Sequence, residues 1–249
     1  MHAFDRARCF LRDIAAAPDA GALAETLAAI ATELGFSYFA LSHHVDVNSA
    51  IGPAIRLHNY PDDWVEYYDS HRLGVSDPVH RASHLTSIGF AWSDIPALIS
   101  LTPGDRIILE RAEKKGIGNG FTVPANVPGE SNGSCTFASP RGESLHPEDF
   151  PVTQLVGSFA FEAARRLWQV RPSIAEAFPR LTDRQRECVL WMARGKSDWE
   201  ISRILGITHE TVIQHLKHAR ERYGVSKRTM VAVQALFEGA ISFNDVLKR

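Results

Sequence analysis

Tyr60, Trp64, Tyr68, Asp77 and Trp92 stand in the pattern Asn59-Tyr60-Pro61-x-x-Trp64-x-x-x-Tyr68, then Asp77-Pro78, then Trp92. Aromatic rings and a carboxylate at these spacings can do non-covalent chemistry on a small molecule. An indole N–H only donates, a phenol donates or accepts, and an ionised carboxylate only accepts. Thr136, in Cys135-Thr-Phe-Ala-Ser139, adds a hydroxyl donor. Tyr68 and Trp92 are suited to wall a pocket. Ala40 and Ser42 are small residues on one face of an extended segment. A dry pocket with a few placed polar groups is how proteins hold such a ligand. Each residue alone has an ordinary reading: a lone Trp or Tyr at helical spacing is core, and Asp before Pro is a turn or a helix cap. The joint pattern carries the functional one. Asp77 buried without a ligand would lack a partner, at a cost of about 1–3 kcal/mol. The unliganded domain is therefore expected to be marginal and to gain stability on binding.

A second constellation lies near the C-terminus. Thr182-Asp-Arg-Gln and Ser197-Asp-Trp-Glu200 are capping-box patterns that start two helices, the second with Ile201, Ile204 and Leu205 as its expected buried face. Gly206-Ile207-Thr208 reads as a tight turn, and Thr208 as the cap of a helix bearing Thr211, Gln214, His215, Lys217, His218, Arg220 and Arg222. A short scaffold helix, a glycine turn and a polar, basic helix describe a helix-turn-helix whose second helix enters the DNA major groove. A small helical bundle with a solvated basic face shares that pattern.

Charge separates the two regions. Over 249 residues the net charge is only −2, yet residues 1–175 carry 14 basic and 20 acidic side chains, net −6, and residues 176–249 carry 13 and 9, net +4. A basic segment joined to an acidic one suggests an appended DNA-reading module. With 45% apolar and 22% charged residues the chain is neither disordered nor fibrous, and its length suggests two domains. Cys9, Cys135 and Cys188 are too scattered for a disulfide framework or a zinc site, which points to a reducing compartment. No run of 18 apolar residues exists, and the N-terminus reads as a polar helix, so a cytoplasmic protein with no membrane contact is expected.

The elements that must position these residues follow from periodicity. Helices are expected over Phe4–Ala17, with Phe4, Ala7, Phe10, Leu11 and Ile14 on one face, and over the Leu23, Leu27, Ile30, Leu34 repeat. Strands are expected at 36–41, 54–60, 90–93, 120–127 and 134–139, with helices around 62–70, after Pro78 and from Pro103 to Lys115. A long amphipathic helix spans Pro147–Trp168, bearing Phe150, Leu155, Phe159 and Leu167. The expectation is an α+β domain, an α/β/α sandwich on a roughly five-stranded antiparallel sheet, followed by an all-α domain of four helices. Pro172 and Pro179 mark the linker, giving domains at 1–170 and 181–249 with 171–180 between.

Leu181-Thr-x-Arg, Ala193-x-Gly-Lys-Ser, Trp199-Glu-Ile-Ser, Leu205-Gly-Ile-Thr, Thr211-Val and Tyr223-Gly-Val-Ser-Lys-Arg resemble the LuxR-type helix-turn-helix domain across 178–243. Gln185 departs from the family's usual Glu but still suits a cap. By that resemblance Thr208–Tyr223 is the recognition helix. Lys196, His215 and Arg222 would contact the DNA backbone, Gln214 and Lys217 base edges, and Thr208, His209 and Thr211 the same interface. Ile213, where relatives often carry a cation, would touch a thymine methyl or pack. The aromatic and Asp-Pro pattern, with Gly35-Phe36-x-Tyr38 and Gly116-Ile117-x-x-Gly120, resembles the acyl-homoserine-lactone-binding domain of quorum-sensing regulators over roughly 20–170.

The resemblance implies an N-acyl-homoserine lactone as ligand and no cofactor. Trp64 would donate to the lactone carbonyl, Asp77 accept from the amide N–H, and Tyr60 and Thr136 donate to the acyl carbonyl. Tyr68 and Trp92 would wall the ring, and Ala40 and Ser42 bound the tail. It further implies a homodimer formed through the Pro147–Trp168 helix, double-stranded operator DNA and RNA polymerase as partners, and transcriptional activation. A relative sensing a non-lactone molecule is the near alternative. A lactone hydrolase is the remote one, and the chain has neither a G-x-S-x-G elbow nor a base for Ser134-Cys135. His80 and His84 have metal-ligand spacing without a third ligand and read as surface residues; Gly116-Ile-Gly118-Asn-Gly120 reads as a helix end rather than a dinucleotide loop.

Overall fold

The computed structural model describes residues 3–45, 54–128, 130–143, 145–169 and 181–248. The expected linker, 171–180, lies outside the described residues. The chain divides into two compact units, one of residues 1–127 and 131–171, the other of 172–249 together with 128–130.

The first unit runs α1 (Ala3–Ala16), α2 (Ala20–Glu33), β1 (Tyr38–His43), β2 (Arg56–His58), α3 (Asp62–Ser70), α4 (Pro78–Ser83), β3 (Phe90–Ala91), α5 (Ile95–Leu98), α6 (Pro103–Lys114), β4 (Asn119–Ala125), β5 (Gly133–Ser139) and α7 (Phe150–Leu167). The strands form one antiparallel sheet in the order β2-β1-β5-β4-β3. Its two faces follow from strand alternation. Phe39, Leu41, Cys135, Phe137, Phe121 and Val123 point into a core closed by α1, α2 and α7, which contribute Phe10, Ile14, Leu23, Leu27, Val156 and Phe161. On the other face Ala40 lies beside Thr136 and His58, and Ser42 beside Ser134 and Arg56. This second face is small and polar and forms the floor of a cavity.

Several expectations need correction. Leu155 and Phe159 are not on the buried face of α7; they are 38% and 49% exposed. The stripe Val152, Val156, Ala160, Ala163 and Ala164 takes the core instead, because its small members let the helix approach the sheet. A Cβ at Gly157 would stand 2.7 Å from Val123. Phe4 is 84% exposed, since Ala7, Phe10, Ile14 and Ala17 already complete the buried face of the first segment. The strand expected at 90–93 stops at Ala91, where a 3-10 turn, Trp92–Asp94, leads into α5. The helix expected from Pro147 opens with a 3-10 turn, Pro147–Asp149.

The second unit comprises α8 (Asp183–Ala193), α9 (Asp198–Leu205), α10 (His209–Tyr223), α11 (Arg228–Phe237) and α12 (Phe243–Leu247), a fifth short helix beyond the four expected. Cys188, Val189, Met192, Ile201, Val212, Leu216, Val231 and Ile241 make its core. Capping boxes start α8 (Thr182 with Gln185), α9 (Ser197 with Glu200) and α12 (Ser242 with Asp245). Gln185 thus serves as the cap partner. Ile204, expected to be buried on α9, is exposed; Ile201 fills that face with Leu205 packed partly against it. Among the described residues no helix is long and apolar enough to cross a membrane, and all three cysteines are free thiols.

Candidate functional site

The cavity lies between the polar face of the first sheet and the helical segments α3, α4 and α6. Pro61 enters α3 and the helix phase brings Trp64 and Tyr68 to the same side, while Asp77 sits at the start of α4. Tyr60, Trp64, Tyr68, Asp77, Trp92, Thr136, Ala40 and Ser42 all line this one space. Arg81 of α4 grips both oxygens of Asp105 on α6 at 2.8 Å, tying together two helices that cover it.

Asp77 is buried but, contrary to expectation, not without protein partners. Its Oδ1 accepts the Val79 N–H at 2.8 Å, capping α4, while the nearby Tyr68 hydroxyl lies 3.3 Å from His80 Nδ1. Asp-Pro is thus also the helix start that its ordinary reading describes, with Pro78 at the first helical position. The cap leaves carboxylate lone pairs for a further donor. Burial raises the Tyr68 and Tyr60 phenols above their ordinary value, with Asp77 adding to the effect, so both remain O–H donors. Among the described residues neither the Tyr60 hydroxyl nor the Trp64 indole N–H has a protein acceptor.

Thr136 is the end of a short relay. The Trp92 indole N–H donates to Thr122 Oγ1 at 2.9 Å, and Thr122 and Thr136 hydroxyls are 3.0 Å apart. Thr122 thus joins the Trp92 indole to Thr136 in one hydrogen-bonded row that ends at the cavity. Gly120 makes the relay possible, because a Cβ there would stand 2.9 Å from the Trp92 ring.

Sequence reasoning missed part of the lining: Ser134, Arg56, His58 and His80 also line the cavity. His44 bonds Ser134 Oγ at 2.9 Å and His84 Nε2 at 2.8 Å, and stacks on His80 with centroids 3.7 Å apart. His80 is therefore not a surface residue, whereas His84 is exposed and still partnered. Burial, then His80, His84 and His43, hold His44 well below its usual pKa, so it is a neutral imidazole. Among the described residues no cluster of three or more such side chains can hold a metal.

In the second unit, Gly206 closes α9 in the left-handed conformation and Thr208 accepts the Thr211 N–H at 3.2 Å to start α10. Val212, Leu216 and Ala219 bury one stripe of α10. His209, Ile213, Gln214, Lys217 and Arg222 are exposed, and Thr211 and His215 half-exposed. Lys217 pairs with Glu221 at 3.8 Å and Lys196 with Glu200 at 3.2 Å, so each cation has a carboxylate neighbour that DNA would compete with.

A small-molecule cavity in one unit and a polar recognition-type helix in the other match two known families. The autoinducer binding domain matches residues 19–167, and the bacterial regulatory proteins of the luxR family match residues 179–235. The chain belongs to the autoinducer-binding LuxR family. RpaR of Rhodopseudomonas palustris, an HTH-type quorum sensing-dependent transcriptional regulator, is 30% identical over 90% of this chain and 90% of its own. AhyR of Aeromonas hydrophila, a transcriptional activator protein, is 26% identical over 93% of this chain and 90% of its own. The crystal structure of Escherichia coli SdiA superposes with a TM-score of 0.67 at 24% identity (95% of this chain, 98% of that one). SdiA in complex with octanoyl-rac-glycerol gives 0.68 at 23%, over 96% of each chain. These two structures speak to the fold alone. The LuxR-family chain is thus an autoinducer-binding transcription regulator, and its relatives are regulators rather than enzymes.

Proposed function

We propose that the first unit, residues 1–170, binds an N-acyl-homoserine lactone and dimerises, and that 181–249 reads operator DNA as part of a homodimer that activates transcription in a quorum response. The observation that carries this reading is the cavity's polar complement. Trp64 and Tyr60 offer N–H and O–H groups without protein acceptors, and Asp77 is the one acidic side chain among the described lining residues. An acyl-homoserine lactone has the matching set: a ring carbonyl for Trp64, an amide N–H for Asp77, and an acyl carbonyl for Tyr60 and Thr136. Tyr68 and Trp92 wall the ring, and Ala40 and Ser42 bound the tail.

The exposed Leu155 and Phe159, one turn apart on α7, support a second copy as the partner of that helix face. On DNA, Gln214 and Lys217 read base edges, Lys196, His215 and Arg222 hold the backbone, and Thr208, His209 and Thr211 present the start of α10 to the groove. RNA polymerase is the partner an activator requires, and the cytoplasm is where these partners meet. Activation is supported by relatives named as transcriptional activators.

Mass spectrometry of the ligand retained after expression alongside a lactone panel tests the reading. Retention of a lactone by the full chain, lost in Asp77→Ala, is expected. Equal retention by the variant overturns the assignment. The complex of SdiA with octanoyl-rac-glycerol supports a second reading, in which the cavity takes an acyl chain on a non-lactone head. Including that compound in the panel separates the two.

A further inference from the structure

A lactone head held at Trp64 and Asp77 leaves the far end of the cavity unexplained, and any tail subsite at that end depends on the lactone reading. Between paired strands, Ala40 lies opposite Thr136 and, one pleat repeat on, Ser42 lies opposite Ser134. Side chains two apart on a strand share a face and are separated by roughly 7 Å. The first row faces the acyl carbonyl that Thr136 would hold and the start of the tail. The second row lies one pleat repeat further along the same face, and both its floor residues are hydroxyls.

Ser134 is engaged with His44, whereas among the described residues the Ser42 hydroxyl has no protein partner. Arg56, paired in register with Ser42 on the neighbouring strand, also lines this end. Its guanidinium is 2.8 Å from Asp69, so its charge is already neutralised. A methyl group pressed against this row would strip water from the Ser42 hydroxyl and give nothing back. A neutral oxygen would restore the hydrogen bond. A carboxylate would have to compete with Asp69 for Arg56.

We infer that the end of the cavity formed by Ser42, Ser134 and Arg56 is a polar subsite, and that the acyl chain of the cognate ligand carries a neutral hydroxyl or carbonyl oxygen about 7 Å from its amide carbonyl. Ser42 is then the residue that selects the tail. An apolar site discriminates weakly against an added hydroxyl, but a site that bonds the hydroxyl rejects the analogue lacking it.

The test is a competition. The full chain is produced with equal concentrations of N-hexanoyl-homoserine lactone and N-(6-hydroxyhexanoyl)-homoserine lactone, and the retained ligands are quantified by mass spectrometry. Enrichment of the hydroxylated compound by about tenfold is expected. Ser42→Ala brings the ratio down towards one, and Ser42→Thr, which keeps the hydroxyl, preserves it. Equal retention, or enrichment of the hexanoyl compound, overturns the subsite while leaving the lactone reading intact. Retention of neither overturns the subsite and leaves the lactone reading to the wider panel. A Ser42→Ala ratio unchanged from the parent protein overturns the role of Ser42.

Discussion

The two units treat polar groups in opposite ways. The second keeps most of them at helix ends and on the surface: its core cluster is apolar, the buried Ser202 hydroxyl bonds back to the Trp199 carbonyl within α9, and Thr182, Ser197, Thr208 and Ser242 each cap a helix. The first places Asp77, Thr136, Ser134 and His44 in its interior, around a cavity. Its stability rests on the other face of the sheet, where Phe39, Phe137, Leu27 and Val156 pack against three helices. A cavity lowers stability by the contacts its walls do not make. That contrast locates where ligand control can enter. The cavity belongs to the first unit, so that is the unit whose stability a small molecule can raise.

Ligand should therefore move one unit and not the other. A saturating acyl-homoserine lactone at about 100 times its Kd adds about 2.7 kcal/mol to the unit that binds it. For a unit of this size that raises Tm by about 5–10 °C. Differential scanning calorimetry of the full chain should show the transition of the first unit rising while that of the second stays in place. If both move together, the units are not separate in stability and the contrast fails.

Asp77 joins both habits in one residue: it caps α4 and faces the cavity. Asn caps a helix about as well as Asp, so Asp77→Asn should melt within about 0.5 kcal/mol of the parent without ligand, while Asp77→Ala loses about 1 kcal/mol. Both variants should bind lactone about tenfold more weakly or worse, since a charge-assisted hydrogen bond is roughly twice as strong as a neutral one. Titration calorimetry and ligand-free melting separate the two roles. Asn melting as low as Ala would mean that the cap is not what Asp77 contributes to the fold.

Legibility in the sequence divides along the same boundary. In the second unit the caps, the glycine turn and the order of helices are local, and they can be read one after another; only α12, too short for a periodic signal, escapes. In the first unit the strands and the Tyr60, Trp64, Tyr68, Asp77 series are visible because spacing reports which side of a helix or strand a residue takes. Arg56, His58, Ser134 and His80 are not visible as cavity residues. Their placement depends on the register of β1 with β2 and β5, and on the stacking of α4 against His44, neither of which leaves a local pattern. The alternation Arg56-Leu57-His58 was the available signal, since it puts both polar residues on one face. Leu155 and Phe159 mislead for a related reason. Size suggests core, but the small residues Gly157, Ala160 and Ala164 decide which side of α7 meets the sheet.

Acid should separate the units once more, by a smaller amount. His44, held below its ordinary pKa by burial and by His80, His84 and His43, binds a proton more readily unfolded than folded. Stability of the first unit should therefore decline as pH falls below about 6.5, where the unfolded imidazole begins to protonate. In the second unit the Ser197 N–H, the Ser197 hydroxyl and Lys196 pull Glu200 from 4.5 to about 2. A carboxylate depressed in the folded state stabilises above its unfolded pKa, and that contribution is lost between 4.5 and about 2. Calorimetry at stepped pH should thus show the first transition falling while the second is still level, and the second falling only below about 4.5. Glu200→Gln should make the second decline shallower, with Glu210 and Asp245, which are also held below their ordinary values, supplying the rest, and leave the first untouched. A single decline shared by both transitions would remove the distinction between a unit that buries imidazole beside its cavity and one that keeps its charges on its caps.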